Sequence, residues 1–242
     1  MTKPCSDKTF GIYVPSYNRS DRIMTQHVLN HCTYVVRESE KQAYLDAGVV
    51  NLIAAPDEEI NSLSKVRQWI IDNSPEDVIV QLDDDISRFS YVNKNNVEAI
   101  EDKDIIDMEL GRIAQLLSDL DIGFASIRMQ ENVIKYTSEF RFQSTCGLIV
   151  WFNKSALKGR YDPKVRTKSD TDFQLQELLK NRIILVPCYI RAKAQYDVNA
   201  GGNNTAKTSA NVQATVDYLQ AKWGKYFEHN YQKNQSFVRV KR

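Results

Sequence analysis

The chain has 242 residues, 42% of them hydrophobic and 26% charged, with 9 Gly and 6 Pro, a balance typical of globular proteins that excludes a disordered, collagen-like or disulfide-scaffold chain. Its net charge of +1 hides a division, because residues 1–120 carry 12 Lys and Arg against 21 Asp and Glu while residues 121–242 carry 20 against 10. The longest apolar runs, Ile183–Val186 and Cys146–Phe152, fall far short of the roughly 20 residues that cross a bilayer, so no membrane partner is expected.

Thr9–Val14 reads as a strand running into Pro15-Ser16-Tyr17-Asn18-Arg19. A helix is expected from Asp21, as N-cap, to about Asn30. Thr33–Val36 is a second strand, Glu38–Ala47 a helix closed by Gly48, and Val50–Ala54 a third strand. Ser62–Asn73 places Leu63, Val66, Trp69 and Ile70 at helical spacing. Val78–Leu82 is a fourth strand, and it ends in Asp83-Asp84-Asp85. Strands alternating with helices in this way indicate a parallel sheet, which binds ligands beyond the carboxyl ends of its strands. Further on, the pattern predicts a helix over Ile105–Leu120, strands at Gly123–Met129 and Cys146–Asn153, a helix over Asp170–Leu179, a strand at Arg182–Pro187 and a late helix over Val212–Trp223. Residues 199–205 read as a polar loop and the basic end 237–242 as a solvated tail. With no repeat, low-complexity segment or polar linker elsewhere, one compact α/β domain is expected over 1–242.

Four cysteines without a C-x-x-C pair argue against a zinc knuckle, and three histidines without G-x-S-x-G give little material for a hydrolase triad. Residues 1–8 lack an apolar signal core, so the expected location is the cytoplasm.

The acidic triplet is the sharpest chemical signal, because three adjacent carboxylates repel unless a cation joins them. Oxygen ligands of this kind suit Mg²⁺ or Mn²⁺, held by one or two carboxylates plus substrate phosphates. If strand alternation continues, Asp83 and Asp85 point one way and Asp84 the other. Asp85 is then the expected direct metal ligand, with Asp83 reaching metal-bound water or a ribose and Asp84 a weaker candidate. The opening loop lies on the same sheet edge, where Tyr17 can stack on a base and Arg19 can pair with a phosphate. Arg67, on the helix before the acidic strand, is a further donor-binding candidate.

The order of V-P-S-Y-N-R after the first strand, an Arg in the helix before the fourth strand and L-D-D-D at its end resembles a GT-A nucleotide-sugar glycosyltransferase over residues 9 to about 190. Ser169-Asp170-Thr171-Asp172-Phe173, then a helix and the strand ILVP, resembles the later Glu-Asp-x-Asp element, with Ser169 where Glu is common. The resemblance implies a GT-A mixed sheet with helices on both faces, a nucleotide-sugar and metal half over 1–120 and an acceptor half over 121–242. It also implies a nucleoside-diphosphate sugar donor, with UDP-sugar expected, a divalent cofactor at Asp83 and Asp85, and a catalytic base at Asp170 or Asp172. Pro15, Tyr17, Arg19, Arg67, Asp83, Asp84, Gly201 and Gly202 are the implied donor-binding residues. As a last metal ligand, Asp197 and His229 are candidates.

The Gly201-Gly202-Asn203-Asn204-Thr205 loop, the helix ending in Leu219-Gln220-Ala221-Lys222-Trp223-Gly224 and the basic second half are most similar to TET-associated glycosyltransferases. These are phage-type enzymes that act on hydroxymethylated pyrimidines in DNA. The resemblance implies double-stranded DNA carrying the modified base as acceptor, and no obligate protein partner is evident. Phosphate contacts are expected from Lys158, Arg160, Lys164, Arg166 and Lys168. Tyr136, Phe140 or Phe142 would stack on a flipped base. A glycan or protein acceptor, an inactive GT-A-like binding module and a nucleotidyltransferase are the alternative readings.

Overall fold

The computed structural model describes residues 8–93, 96–127, 138–143, 147–194 and 208–240. Its strands are Phe10–Pro15 (β1), Thr33–Arg37 (β2), Leu52–Ala55 (β3), Val78–Leu82 (β4), Ile86–Asn93 (β5), Asn96–Ile100 (β6), Phe124–Ser126 (β7), Phe140–Arg141 (β8), Ile149–Asn153 (β9), Val186–Pro187 (β10), Ile190–Ala194 (β11), Phe227–Asn230 (β12) and Gln235–Val238 (β13). Its helices are Lys41–Asp46 (α1), Leu63–Asn73 (α2), Lys103–Asp119 (α3), Ser169–Lys180 (α4) and Ser209–Trp223 (α5).

Six strands form the main sheet in the order β3-β2-β1-β4-β9-β7. The first four run parallel, and β9 runs antiparallel to both β4 and β7. Alternation along β4 divides the core. Val78, Val80 and Leu82 face Ile106, Leu110, Ile113 and Leu117 of α3, while Ile79 faces Val66 and Ile70 of α2 and Phe173 of α4. Helices therefore cover both faces, which is why β4 reads as an unbroken apolar run apart from Gln81. Gln81 is buried on the α2 side, where its amide donates to the Arg67 carbonyl at 2.8 Å. The Phe152 and Phe173 rings, 5.2 Å apart, dock α4 on the sheet.

The chain leaves β1 towards β2 and β3 on one side, whereas β4 lies on the other. Connections diverge at such a switch point and open a crevice at the carboxyl ends. Residues 15–19 and 83–85 both lie there. Among the described residues, three smaller sheets accompany the main one: one of order β11-β5-β6, which continues directly from the acidic triplet, the β10–β8 pair and the β12–β13 hairpin.

Several predicted elements change. The helix expected over 21–30 is two short 3₁₀ turns, Ser20–Arg22 and Thr25–His27. The Met24 and Thr25 N–H groups donate to the Asp84 carbonyl at 3.4 and 3.3 Å, and this use of the backbone competes with a helical ladder. Glu38–Ala47 begins as a 3₁₀ turn before α1, and Gly48, with φ +87°, ends it. The strand expected over 182–187 shortens to Val186–Pro187 plus a bridge from Leu185 to Ala125. β5, β6, β8, β11, β12 and β13 were not among the predicted elements. In particular, part of the expected tail is packed: Phe227 is buried with Val165, Leu175, Val216 and Leu219, and Val238 and Val240 lie against them.

Candidate active site

The opening loop is anchored residue by residue. Ser16 N–H donates to the Val35 carbonyl at 3.1 Å. Its hydroxyl donates to Asp84 Oδ2 at 2.6 Å, so its single hydrogen is used and the Tyr44 hydroxyl, 2.7 Å away, donates to Ser16 Oγ. Tyr44 also accepts from Arg19 N–H at 3.1 Å, and burial pushes its phenol up to about 12. Asn18, at φ 52°, donates its N–H to Glu40 Oε1 at 2.7 Å. Pro15 is buried at the end of β1. Tyr17 is exposed, with the Arg37 guanidinium 4.0 Å over its ring, which leaves a cationic and aromatic surface at the mouth of the crevice.

The acidic triplet is a turn and not an extension of β4, so strand alternation stops at Leu82. Asp83 and Asp85, expected on one side with different roles, have different partners. Asp83 accepts from Arg67 Nη2 at 2.8 Å. Arg19 Nη1 lies 2.5 Å from Asp84 Oδ1 and 3.7 Å from Asp85 Oδ2. Asp84 is buried and fully engaged by Ser16 and Arg19, so its place is beneath the site. The backbone of the turn is held as well, with Thr25 Oγ1 donating to the Asp83 carbonyl at 2.7 Å and accepting from Ile86 N–H at 3.1 Å.

Asp83 leaves 34% of its side chain open to solvent and is otherwise surrounded by protein, as a carboxylate on a cleft floor would be. Burial raises its pKa, Arg67 opposes that, and Asp84 adds to it. Asp85 is 13% exposed, and burial together with Asp83 and Asp84 pushes its carboxyl up to about 7. Two arginines thus serve three carboxylates, leaving a deficit of positive charge centred on Asp85. Burial opposes the Arg19 charge, but Asp84, Asp85 and Asp83 outweigh it. Burial likewise opposes that of Arg67, and Tyr161, Asp83 and Asp170 outweigh it. The Nε of both arginines is buried without a hydrogen-bond partner, an unsatisfied state that an acceptor entering the cleft would relieve.

Among the described residues no group of three His, Cys, Asp or Glu can hold a metal. One or two carboxylates completed by phosphates is the arrangement that Mg²⁺ or Mn²⁺ accepts, and the charge deficit at Asp85 fits such an ion. His229 lies on β12, its Nδ1 3.1 Å from Ser236 Oγ, with no ligand cluster around it. Asp197, Gly201, Gly202 and Tyr136 lie outside the described residues.

The two acids of α4 separate sharply. Asp172 is buried and accepts from Trp223 Nε1 at 2.7 Å, from Gln176 at 3.0 Å and from Lys222 at 2.9 Å. Lys222 also reaches Asp162 at 2.9 Å, and Tyr218 donates to the same Asp162 oxygen at 2.7 Å. With its lone pairs committed to α5, Asp172 is a poor proton acceptor for substrate. Asp170, half-buried in the first turn of α4, makes no hydrogen bond or ion pair among the described residues, and it lies close enough to Arg67 to bias that charge. Arg67 therefore binds Asp83 and also feels the charge of Asp170, which couples the acidic turn to the α4 terminus. The partners Ser16, Tyr44, Lys222 and Trp223 were absent from the predicted site. Ser16, Lys222 and Trp223 stood in segments that the sequence had singled out, and Tyr44 did not.

Of the expected DNA contacts, Arg160 is committed to Asp72 by two bonds of 2.7 and 3.2 Å. Lys168 reaches Asn234, while Lys158, Lys164 and Arg166 are exposed. Phe140 packs edge-on against Tyr189 at 5.7 Å and Phe142 is exposed.

The TET-associated glycosyltransferase family matches residues 10–202, and the chain belongs to that family. Its fold is that of GT-A glycosyltransferases. Glucosyl-3-phosphoglycerate synthase from Mycobacterium tuberculosis, solved with Mn²⁺, UDP-glucose and phosphoglyceric acid, superposes with a TM-score of 0.54 at 8% identity over 96% of this chain and 87% of that one. The same synthase with Mg²⁺ and UDP gives 0.52 at 9% identity, again over 96% and 87%. S. aureus TarS 1–349 in complex with UDP gives 0.49 at 12% identity over 90% and 73%. No curated protein matches the chain.

Proposed function

We propose that this glycosyltransferase moves a sugar from a UDP-sugar to the hydroxymethyl group of a modified pyrimidine in double-stranded DNA, with Asp170 as the base. The observation that carries the reading is Arg67, which binds Asp83 of the acidic turn at the β1–β4 crevice and feels the charge of the unbonded Asp170 at the start of α4. The synthase of like fold was solved with Mn²⁺ and UDP-glucose, and the family name supports the DNA acceptor.

A divalent ion at Asp85, with Asp83 beside it, would supply positive charge to the departing diphosphate. The protein's own residues do the rest. Tyr17 and Arg37 receive the base at the mouth of the crevice, and the unpartnered Nε groups of Arg19 and Arg67 are the donors left for the diphosphate. As the acceptor oxygen forms its bond to the anomeric carbon, the bond from that carbon to the phosphate oxygen breaks and its electron pair leaves with UDP. Asp170 takes the acceptor proton. A single displacement of this kind inverts the anomeric centre.

No described helix is long and apolar enough to cross a membrane. The reading is tested with purified protein, Mn²⁺, a panel of nucleotide sugars and hydroxymethylcytosine DNA beside unmodified DNA. A sugar-sized mass gain confined to the modified DNA is expected, with release of UDP. Donor turnover without a DNA product would move the acceptor to a glycan or protein. No donor turnover would defeat the UDP-sugar reading.

A further inference from the structure

The family match ends at residue 202, yet the chain beyond it is built into the α4 end of the molecule. α5 holds Asp172 through Lys222 and Trp223. The β12–β13 hairpin then returns its tip to Lys168, the residue before α4, whose Nζ lies 3.2 Å from both the carbonyl and the side-chain oxygen of Asn234. That tip is rigid. Lys233 N–H donates to Asn230 Oδ1 at 3.0 Å, Asn234 N–H reaches the Tyr231 carbonyl at 3.4 Å, and Asn234 adopts φ 45°.

Tyr231 projects from this turn with 58% of its surface exposed. Single exposed aromatics are common, but this ring is held from two sides. His229 meets it edge-on at 4.7 Å and 89°, and its hydroxyl accepts from the Gln213 amide at 3.2 Å. Burial and the nearby Lys168 keep the His229 pKa low, so a neutral imidazole supports the ring. Lys233 lies on the same turn and Lys168 meets it at Asn234, while the exposed Lys164 and Arg166 lie towards the other end of the hairpin, on either side of Val165, which is buried against Phe227 of β12. A pinned aromatic beside Lys233, on a hairpin whose Asn234 binds the residue before the helix that carries Asp170, matches the chemistry that meets a stacked base and its phosphates.

We infer that the β12–β13 turn is a DNA-contacting element in which Tyr231 stacks on a base beside the target nucleotide while Lys233 and the 164–168 run bind the flanking phosphates. This inference rests on the DNA acceptor proposed above. Stacking there would hold the duplex open at the modified pyrimidine, as apolar wedges do in other DNA-distorting proteins.

The test uses the full chain and a hydroxymethylcytosine duplex with 2-aminopurine next to the modified base. Wild-type protein is expected to raise the 2-aminopurine fluorescence and to transfer sugar. Tyr231→Ala should lose most of the fluorescence rise and increase the KM for this DNA roughly tenfold, within the range of one lost base–aromatic stack, at an unchanged thermal midpoint. Tyr231→Phe, which keeps the ring, should stay within about twofold of wild type. Lys233→Ala should lessen the salt dependence of binding by about one phosphate contact. Tyr231→Ala with the fluorescence rise and KM of wild type would overturn the inference while leaving the DNA acceptor intact. Wild-type protein that turns over donor but transfers nothing to this duplex would overturn both.

Discussion

The acidic turn after β4 and the first turn of α4 present the same problem with different solutions. Each gathers neighbouring carboxylates, and each buries one of them in a network that leaves another exposed to chemistry. At β4 the buried member is Asp84, held by Ser16 and Arg19, and the member short of positive charge is Asp85. At α4 it is Asp172, held by Lys222, Trp223 and Gln176, and the free member is Asp170. The difference lies in where the partners come from. The β4 set is satisfied from the opening loop, 65 and 68 residues earlier in the chain, whereas the α4 set depends on α5, 50 and 51 residues later, a segment that follows the sheet instead of opening it. A carboxylate's role here follows from what surrounds it, and sequence neighbours one or two positions apart end in opposite roles.

The comparison breaks first at Asp170. Asp170→Asn is expected to reduce sugar transfer by about 10²- to 10⁴-fold, the usual contribution of a general base, with the thermal midpoint and nucleotide binding retained. Asp172→Ala should instead act on folding. It strands the Trp223 and Gln176 donors and half of the Lys222 pairing in a buried place, at a cost on the order of 3 kcal/mol. For a chain of this size that lowers Tm by roughly 6–12 °C. If Asp172→Ala melts like wild type but is inactive, the two roles have been assigned the wrong way round.

The pH dependence sharpens the β4 half. The Asp85 carboxyl titrates at about 7 in the folded chain against an ordinary value of 3.8. The folded state therefore holds the proton more tightly, and this contribution to stability is fully present below pH 3.8 and is lost as pH rises through about 7. The metal-free protein should lose on the order of 2 kcal/mol of stability over that range through Asp85, since partial exposure and the Arg19 charge moderate the effect. Asp85→Asn should remove that part of the slope in melts recorded across the window, and an unaltered slope would assign it to other groups. The smallest effect belongs to the opening loop. Ser16→Ala deletes one hydrogen bond to Asp84 and one from Tyr44, and should cost about 1 kcal/mol in denaturant unfolding while weakening donor binding. A wild-type midpoint in that variant would show that Arg19 alone fixes Asp84.

Much of the first half was legible because its signals are local. β1, β2, β4, α2 and α3 follow from apolar periodicity, and V-P-S-Y-N-R and L-D-D-D fall at strand ends, where an α/β sheet presents its ligands. The helix expected over 21–30 failed because Met24 and Thr25 direct their N–H groups to Asp84, 60 residues away in sequence. β12 and β13, four residues each, lack the length for a periodic signal and exist as strands through pairing with one another.

The sequence by itself determined the α/β class, the family and the two acidic motifs, since composition, periodicity and motif spacing are properties of adjacent residues. Tertiary structure alone decided which acid in each motif is buried and which is left for chemistry. It also joined α5 and the β12–β13 hairpin to α4 and brought Arg67 to Asp83 within the influence of Asp170. Burial, pairing and pKa are set by groups that meet only when distant segments pack, and no local pattern encodes which arginine, lysine or indole a carboxylate will find.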